Sequence, residues 1–236
     1  KKIVREEKMP FQQDKKLIEM LLDMQKCRHL EQFAPEDSDQ GVVLRFTDRV
    51  MVMFLVHLEG AFGGAKCALE DVKLVIVSNG PTEPIPGESY SGSPAEDFVA
   101  FLGDRYIKSE PRNIHANLKL FLNLVFPCKG ELEKQLTRVW LTNSVHCTFD
   151  DEPKMADRKR CADVNLFRHI ELFSNPVVVL AGSKSQLISS RLSSAFTDIR
   201  VVKCHSFSKP FPKGKSFAEK SWREAADEVK NHIAEH

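Results

Sequence analysis

Val72-Lys73-Leu74-Val75-Ile76-Val77 is a largely apolar, β-branched run that stops at the turn-forming group Ser78-Asn79-Gly80-Pro81. A short apolar run bounded by a turn reads as a buried strand. Three later segments share this form: Arg138 to Leu141, Pro176 to Leu180 and Ile199 to Val202. Helical patterns lie between them. Phe98 to Ile107 and Ile114 to Val125 occupy the first gap, and Cys161, Val164, Phe167 and Ile170 form one stripe in the second. Leu187 to Phe196 fills the third, and Trp222, Ala226, Val229 and Ile233 mark a last helix. Strands alternating with helices imply a parallel sheet covered on both faces. The expected class is α/β, a three-layer αβα arrangement with a central four-stranded parallel sheet.

Upstream of this core, Leu17, Ile18, Leu21 and Leu22 give Asp14 to Met24 a helical spacing that leads into Cys27. Val42 to Phe46 and Val50 to Val56 flank Thr47-Asp48-Arg49 and read as an inserted N-terminal hairpin. No repeat or low-complexity linker divides the chain. A single domain over residues 1–236 is expected, with the N-terminal helix and hairpin at roughly 14–66 and the core at roughly 70–236.

The 236 residues, 42% of them hydrophobic and 28% charged, suffice for a sizeable core without crosslinks. No apolar run approaches the ~20 residues of a membrane-spanning helix. Lys1 to Lys16 carries no leader-like apolar segment, so a cytoplasmic or nuclear setting, without a membrane partner, is expected. The formal net charge of +1 says nothing for or against nucleic acid, which needs only a local basic surface. Six dispersed cysteines do not form a small secreted disulfide framework; reduced thiols, some of them able to bind metal, are expected.

In open α/β sheets ligands bind outside the carboxyl ends of the strands. The segments there are Ser78 to Pro81, Thr142 to Cys147, Ala181 to Ser183 and Cys204 to Ser206. They would bring two Asn side chains, a His and a Gly-Pro turn to one rim. Asn143 offers a donor and an acceptor side by side, suited to the edge of a base, though Asn also simply forms turns. His205 could donate to a base carbonyl that gains charge, or be an ordinary surface histidine. Asn79 could position a water or shape a turn. Lys209-Pro210-Phe211-Pro212-Lys213-Gly214-Lys215 mixes basic and aromatic residues, as a groove-probing loop or as a solvated one. Cys27, Cys147 and Cys161 could share a metal or cluster, or be unrelated buried thiols.

Taken in order, several segments resemble the family 4 (iron–sulfur) uracil-DNA glycosylases. Leu74 to Thr82 resembles the family's first motif, a strand ending in Gly-Glu-Ala/Gly-Pro-Gly, and Gly92-Ser93-Pro94 resembles its Gly-x-Pro-Phe. Trp140-Leu141-Thr142-Asn143-Ser144-Val145-His146-Cys147 resembles Tyr-Ile-Thr-Asn-x-Val-Lys-Cys and is the most specific piece. Cys161, Ile170 to Leu172, Val177 to Gly182, His205-Ser206, and Lys220 with Trp222 follow in the family's order. The resemblance implies a DNA repair enzyme, acting as a monomer, that flips a deaminated base from DNA and hydrolyses its N-glycosidic bond. It implies base recognition by Asn143, charge stabilisation by His205, and a water-holding turn at Gly80 and Pro81. Ser206, Phe207, Lys209, Lys213 and Lys215 would meet DNA, with Phe207 or Phe211 as wedge.

Departures from the pattern are specific. The motif carboxylate aligns with Asn79, so Asn79→Glu is expected to raise activity. The base-stacking Phe aligns with Ala95, leaving Phe98 or Tyr90 to stack. The His-Pro-Ser proline is Ser206. A [4Fe-4S] cluster is implied on Cys27, Cys147 and Cys161, but its first cysteine aligns with Met24, which leaves His29 as a candidate fourth ligand. The alternative is the same fold kept as a module that binds DNA or protein without turnover. Either way Asn79, Asn143 and His205 must face one cleft; placement of Asn143 and His205 on opposite edges would sink the resemblance.

Overall fold

Valine, isoleucine and leucine in short runs favour extended backbone where both faces are covered. In a computed structural model of the chain, which describes residues 72–80, 113–126, 138–145, 152–208 and 211–235, four such runs are strands. They are β1 (Leu74–Ser78), β2 (Val139–Asn143), β3 (Val177–Ala181) and β4 (Val201–Cys204). All pairings are parallel and the order is β2-β1-β3-β4. Each strand lies one or two residues later than the apolar runs suggest. The ladder continues into polar residues, pairing Ser78 with Asn143, because a backbone hydrogen bond does not require an aliphatic side chain.

The helices are α1 (Asn113–Val125), α2 (Met155–Cys161), α3 (Phe167–Ile170), α4 (Ser189–Ala195) and α5 (Lys215–Glu235). They cover both faces of the sheet and complete the expected three-layer α/β arrangement. Alternation along the strands sends Leu74, Ile76, Val139, Leu141, Val177, Val179 and Val202 to one face. There they meet Leu118, Phe121, Leu122 and Val125 of α1, and Ala218, Trp222, Ala226 and Val229 of α5. Full burial of such side chains stabilises by about 1.5–3 kcal/mol each. The opposite face holds Trp140, whose ring meets Phe173 and the edge of His169, while Thr142 Oγ1 lies 3.2 Å from His169 Nδ1.

Two helical patterns differ from expectation. The stripe through Cys161, Val164, Phe167 and Ile170 assumes an unbroken α-helix, yet residues Ala162–Leu166 form a π-helical turn between α2 and α3. A bond from the Phe167 N–H to the Ala162 carbonyl widens the turn by one residue. Val164 is therefore turned outward, and Asn165 and Leu166 are buried instead. The segment beginning at Leu187 starts as a 3₁₀ turn, Ser185–Ile188, and leaves Leu187 exposed. The expected helices at 14–24 and 98–107 and the hairpin at 42–56 lie outside the described residues. No helix among the described residues is long and apolar enough to cross a membrane.

Candidate functional site at the carboxyl rim

Because every strand is parallel, all four carboxyl ends fall on one rim, and the segments that leave them brace one another. The Ser144 N–H donates to the Ser78 carbonyl at 2.8 Å, and its hydroxyl donates to the Asn79 carbonyl at 2.5 Å. A methyl group added at Gly80 would sit 3.6 Å from the Val145 carbonyl oxygen. On the other side, the Gly182 N–H donates to the Cys204 carbonyl at 2.9 Å, and Gln186 Nε2 donates to the same oxygen at 2.8 Å. Gly182 has φ +100, and a Cβ there would come within 3.2 Å of the Ser206 Cβ. Only glycine meets both conditions without strain.

His205 is the first residue past β4, and its backbone is held at both polar atoms. Its N–H donates to Ser221 Oγ at 3.0 Å, and its carbonyl accepts from Trp222 Nε1 at 2.9 Å. The ring stands edge-on to Phe211 and Phe217, with centroids 6.1 and 6.0 Å away. Its Nδ1 is buried and has no hydrogen-bond partner among the described residues. An orphaned buried acceptor is tolerated better than an orphaned buried N–H. The neutral tautomer with its proton on Nε2 therefore fits best and makes Nε2 the ring's donor. Burial of Cys204, one residue earlier, pushes its thiol far above the ordinary range and keeps it protonated.

Asn143 ends β2 and is only 3% exposed. β2 and β4 are the two outer strands. Asn143 and His205 thus share the carboxyl end but flank it across three interstrand spacings, about 14 Å at the level of the strands. They leave opposite edges of the sheet, the placement that the sequence reading takes as fatal to the resemblance. A glycosylase reading therefore requires a ligand that spans the ends of β1 and β3.

Asn79, between them after β1, is exposed, and its Oδ1 accepts from Arg158 Nη1 at 2.8 Å. Arg158, on α2, is only 1% exposed. Its Nη2 pairs with Glu152 Oε1, and Glu152 Oε2 pairs with Lys184. The Lys184 hydrogen bond, followed by Arg158, holds the Glu152 carboxyl below its ordinary range, partly opposed by desolvation. Arg158 is absent from the sequence reading because Asp157-Arg158-Lys159-Arg160 looks like a solvated charged turn. The only local signal is Asp157, whose carboxylate accepts from the Lys154 N–H at 3.0 Å and marks the helix start.

The expected DNA contacts separate into distinct environments. Phe207, named as a wedge, is 3% exposed and packs between Phe121 and Trp222, so its ring belongs to the core. Phe211 is partly buried beside Trp222. The exposed ring is Phe217, at 44%, which the sequence reading overlooked because it sits inside the pattern of α5. Lys213 Nζ lies 4.9 Å from its centroid, a cation–π contact. Ser206 Oγ lies 3.0 Å from Ser208 Oγ, and Lys215 is paired with Glu219 at 3.5 Å.

Cys161 is buried, and its sulfur accepts from Asn165 Nδ2 at 3.7 Å, an amide contact compatible with a thiolate ligand of a cluster. Among the described residues no group of three or more His, Cys, Asp or Glu side chains is placed to hold a metal ion. Cys27, Cys147, Pro81, Tyr90, Phe98, Lys209 and the candidate ligand His29 lie outside the described residues. No protein-family model matches this chain, and no curated protein matches it. The functional reading therefore rests on the rim itself.

Proposed function

We propose that the chain is a DNA repair glycosylase that hydrolyses the N-glycosidic bond of uracil or a related deaminated base in DNA. The observation that carries this reading is His205: an imidazole locked through its backbone, flanked by aromatic rings, with Nδ1 unpartnered and Nε2 left as donor. A fixed neutral donor can meet the charge that builds on a departing pyrimidine carbonyl, and such donors are worth about 3–4 kcal/mol. Asn143 would read the edge of the flipped base, and Gly80 and Pro81 would shape the turn beside the water. DNA would lie over Ser206, Phe211, Lys213 and Phe217, the last replacing Phe207 as the ring available to stack. A [4Fe-4S] cluster on Cys27, Cys147 and Cys161 belongs to this proposal, as do a monomeric state and a cytoplasmic or nuclear setting.

The test is incubation with single- and double-stranded oligonucleotides containing one uracil, followed by alkali cleavage at the abasic product. Cleavage dependent on His205 supports the reading. Cleavage unaffected by His205→Ala, or none on either substrate, overturns it. Iron and acid-labile sulfide assays on protein prepared without oxygen test the cluster separately. A second reading, a binding module without turnover, is favoured by one observation: the place of the motif carboxylate is taken by Asn79, whose carbonyl oxygen is already occupied by Arg158. Retained binding with no cleavage would select it.

A further inference from the structure

The Asn79–Arg158 contact fixes more than a distance. A guanidinium can only donate hydrogen bonds. The atom of Asn79 facing Arg158 is therefore the carbonyl Oδ1, and the amide is turned so that Nδ2 points elsewhere. The backbone carbonyl of Asn79 is taken by the Ser144 hydroxyl. Both oxygens of this residue are thus engaged, and the Nδ2 hydrogens are turned away from Arg158 on an exposed side chain. A residue presented this way cannot accept a proton from water.

Arg158 is itself firmly set. It is almost fully buried, and its charge is answered by Glu152, which Lys184 holds from the other side. Among the described residues, Asn79, Glu152 and Lys184 are the groups that face this cluster, from the end of β1, the segment before α2 and the turn after β3.

We infer that Arg158 is a positioning residue of the rim: it holds Asn79 with its amide nitrogen outward, so that Asn79 donates to the oxygen of a water and aligns it without deprotonating it. The identity of the reaction rests on the glycosylase reading; the orientation of Asn79 does not. Asn79→Asp puts a carboxylate of nearly the same shape in the same place, but against Arg158 it would stay ionised and weakly basic.

Titrating that carboxyl by NMR in Asn79→Asp needs no substrate. It should ionise at or below about pH 3 rather than near the ordinary 3.9, and move back upward when Arg158→Met is added. Should the methionine variant fail to fold, Arg158→Lys keeps the charge while removing the fork and should shift the titration upward less far. An ordinary or raised titration in Asn79→Asp that ignores either Arg158 substitution overturns the proposal. In excision assays Asn79→Asp should gain less than about tenfold, against the 10²–10⁴-fold that a competent base supplies. A gain of that larger size, with a rate that falls as the new carboxyl protonates near neutral pH, also overturns it. If no variant excises uracil, the glycosylase reading fails and the titration alone decides the role of Arg158.

Discussion

The two halves of the carboxyl rim are built on opposite rules. Around β1 and β2 the exits are joined by polar contacts: Asn79 to Arg158, Arg158 to Glu152, and Ser144 to Ser78 and Asn79. Around β4 and α5 hydrogen bonds hold only the backbone of His205, its ring is flanked by Phe211 and Phe217, and Nδ1 has no partner among the described residues. Polar saturation fixes groups by occupying them. Bonds to the backbone alone fix a residue and leave the polar atoms of its side chain free. The β4 half is therefore the better candidate for contact with a reacting group, and the β1 half for holding what must not move.

The largest test of this contrast is Trp222→Ala, which removes a fully buried ring and the bond to the His205 carbonyl and should cost about 3–5 kcal/mol of stability in urea unfolding. Trp222→Phe should cost far less, about 1 kcal/mol for the bond to the His205 carbonyl. Equal losses in the two variants would mean that packing is not what supports this half. Next comes His205→Ala. Excision should fall by about 10²–10³-fold in single-turnover assays. Stability should change by less than about 1 kcal/mol, because the bonds holding this residue are backbone bonds. A large stability loss would make His205 structural.

Phe217→Ala should weaken binding to uracil-containing single strands by about 1–3 kcal/mol, measured by fluorescence anisotropy, if the exposed ring stacks on a base. Unchanged affinity would return Phe217 to an ordinary surface residue.

The smallest effect is expected in the polar half, through Glu152. Its carboxyl titrates below the ordinary 4.5, so the folded state favours the ionised form. That stabilisation is present above the ordinary value and fades as pH falls through the lower, folded one. Solvent screening keeps it within about 1 kcal/mol. Urea midpoints measured from pH 6 to pH 3 should fall more steeply in the parent than in Glu152→Gln. Parallel curves would show that the ion pairs carry no linkage.

Much of this layout was legible in the chain. Four apolar runs ending in turns located the strands to within a residue or two, and the position rule for open sheets placed Asn79, Asn143 and His205 on the same end. Three things were hidden, each for a physical reason. The π-helical turn at Ala162–Leu166 breaks the period on which a helical stripe is read, which is why Val164 was placed on the wrong side. Arg158 is buried by its surroundings, and nothing in a charged tetrapeptide says which of its side chains turns inward. Phe207 and Phe217 are the same residue type ten positions apart, and only the packing of α5 against α1 decides which becomes core. Strand order was hidden too, since alternation gives a parallel sheet without saying that Asn143 and His205 leave its two outer strands.

The strand order also sets a schedule. β1 is central, paired on one side by β2 and on the other by β3, whose residues follow it by roughly a hundred positions in the chain. During synthesis at about 5–20 residues per second, its second edge stays open for about 5–20 s after it emerges. For that interval Leu74–Ser78 is an aliphatic strand with an unpaired ladder, the kind of edge that recruits other chains. Lys73, immediately before it, is the nearest charge that can discourage such pairing. The nascent chain is thus most vulnerable to association before Ala181 has been made, and a truncation ending short of β3 exposes one of the two strands that the complete sheet holds at its centre.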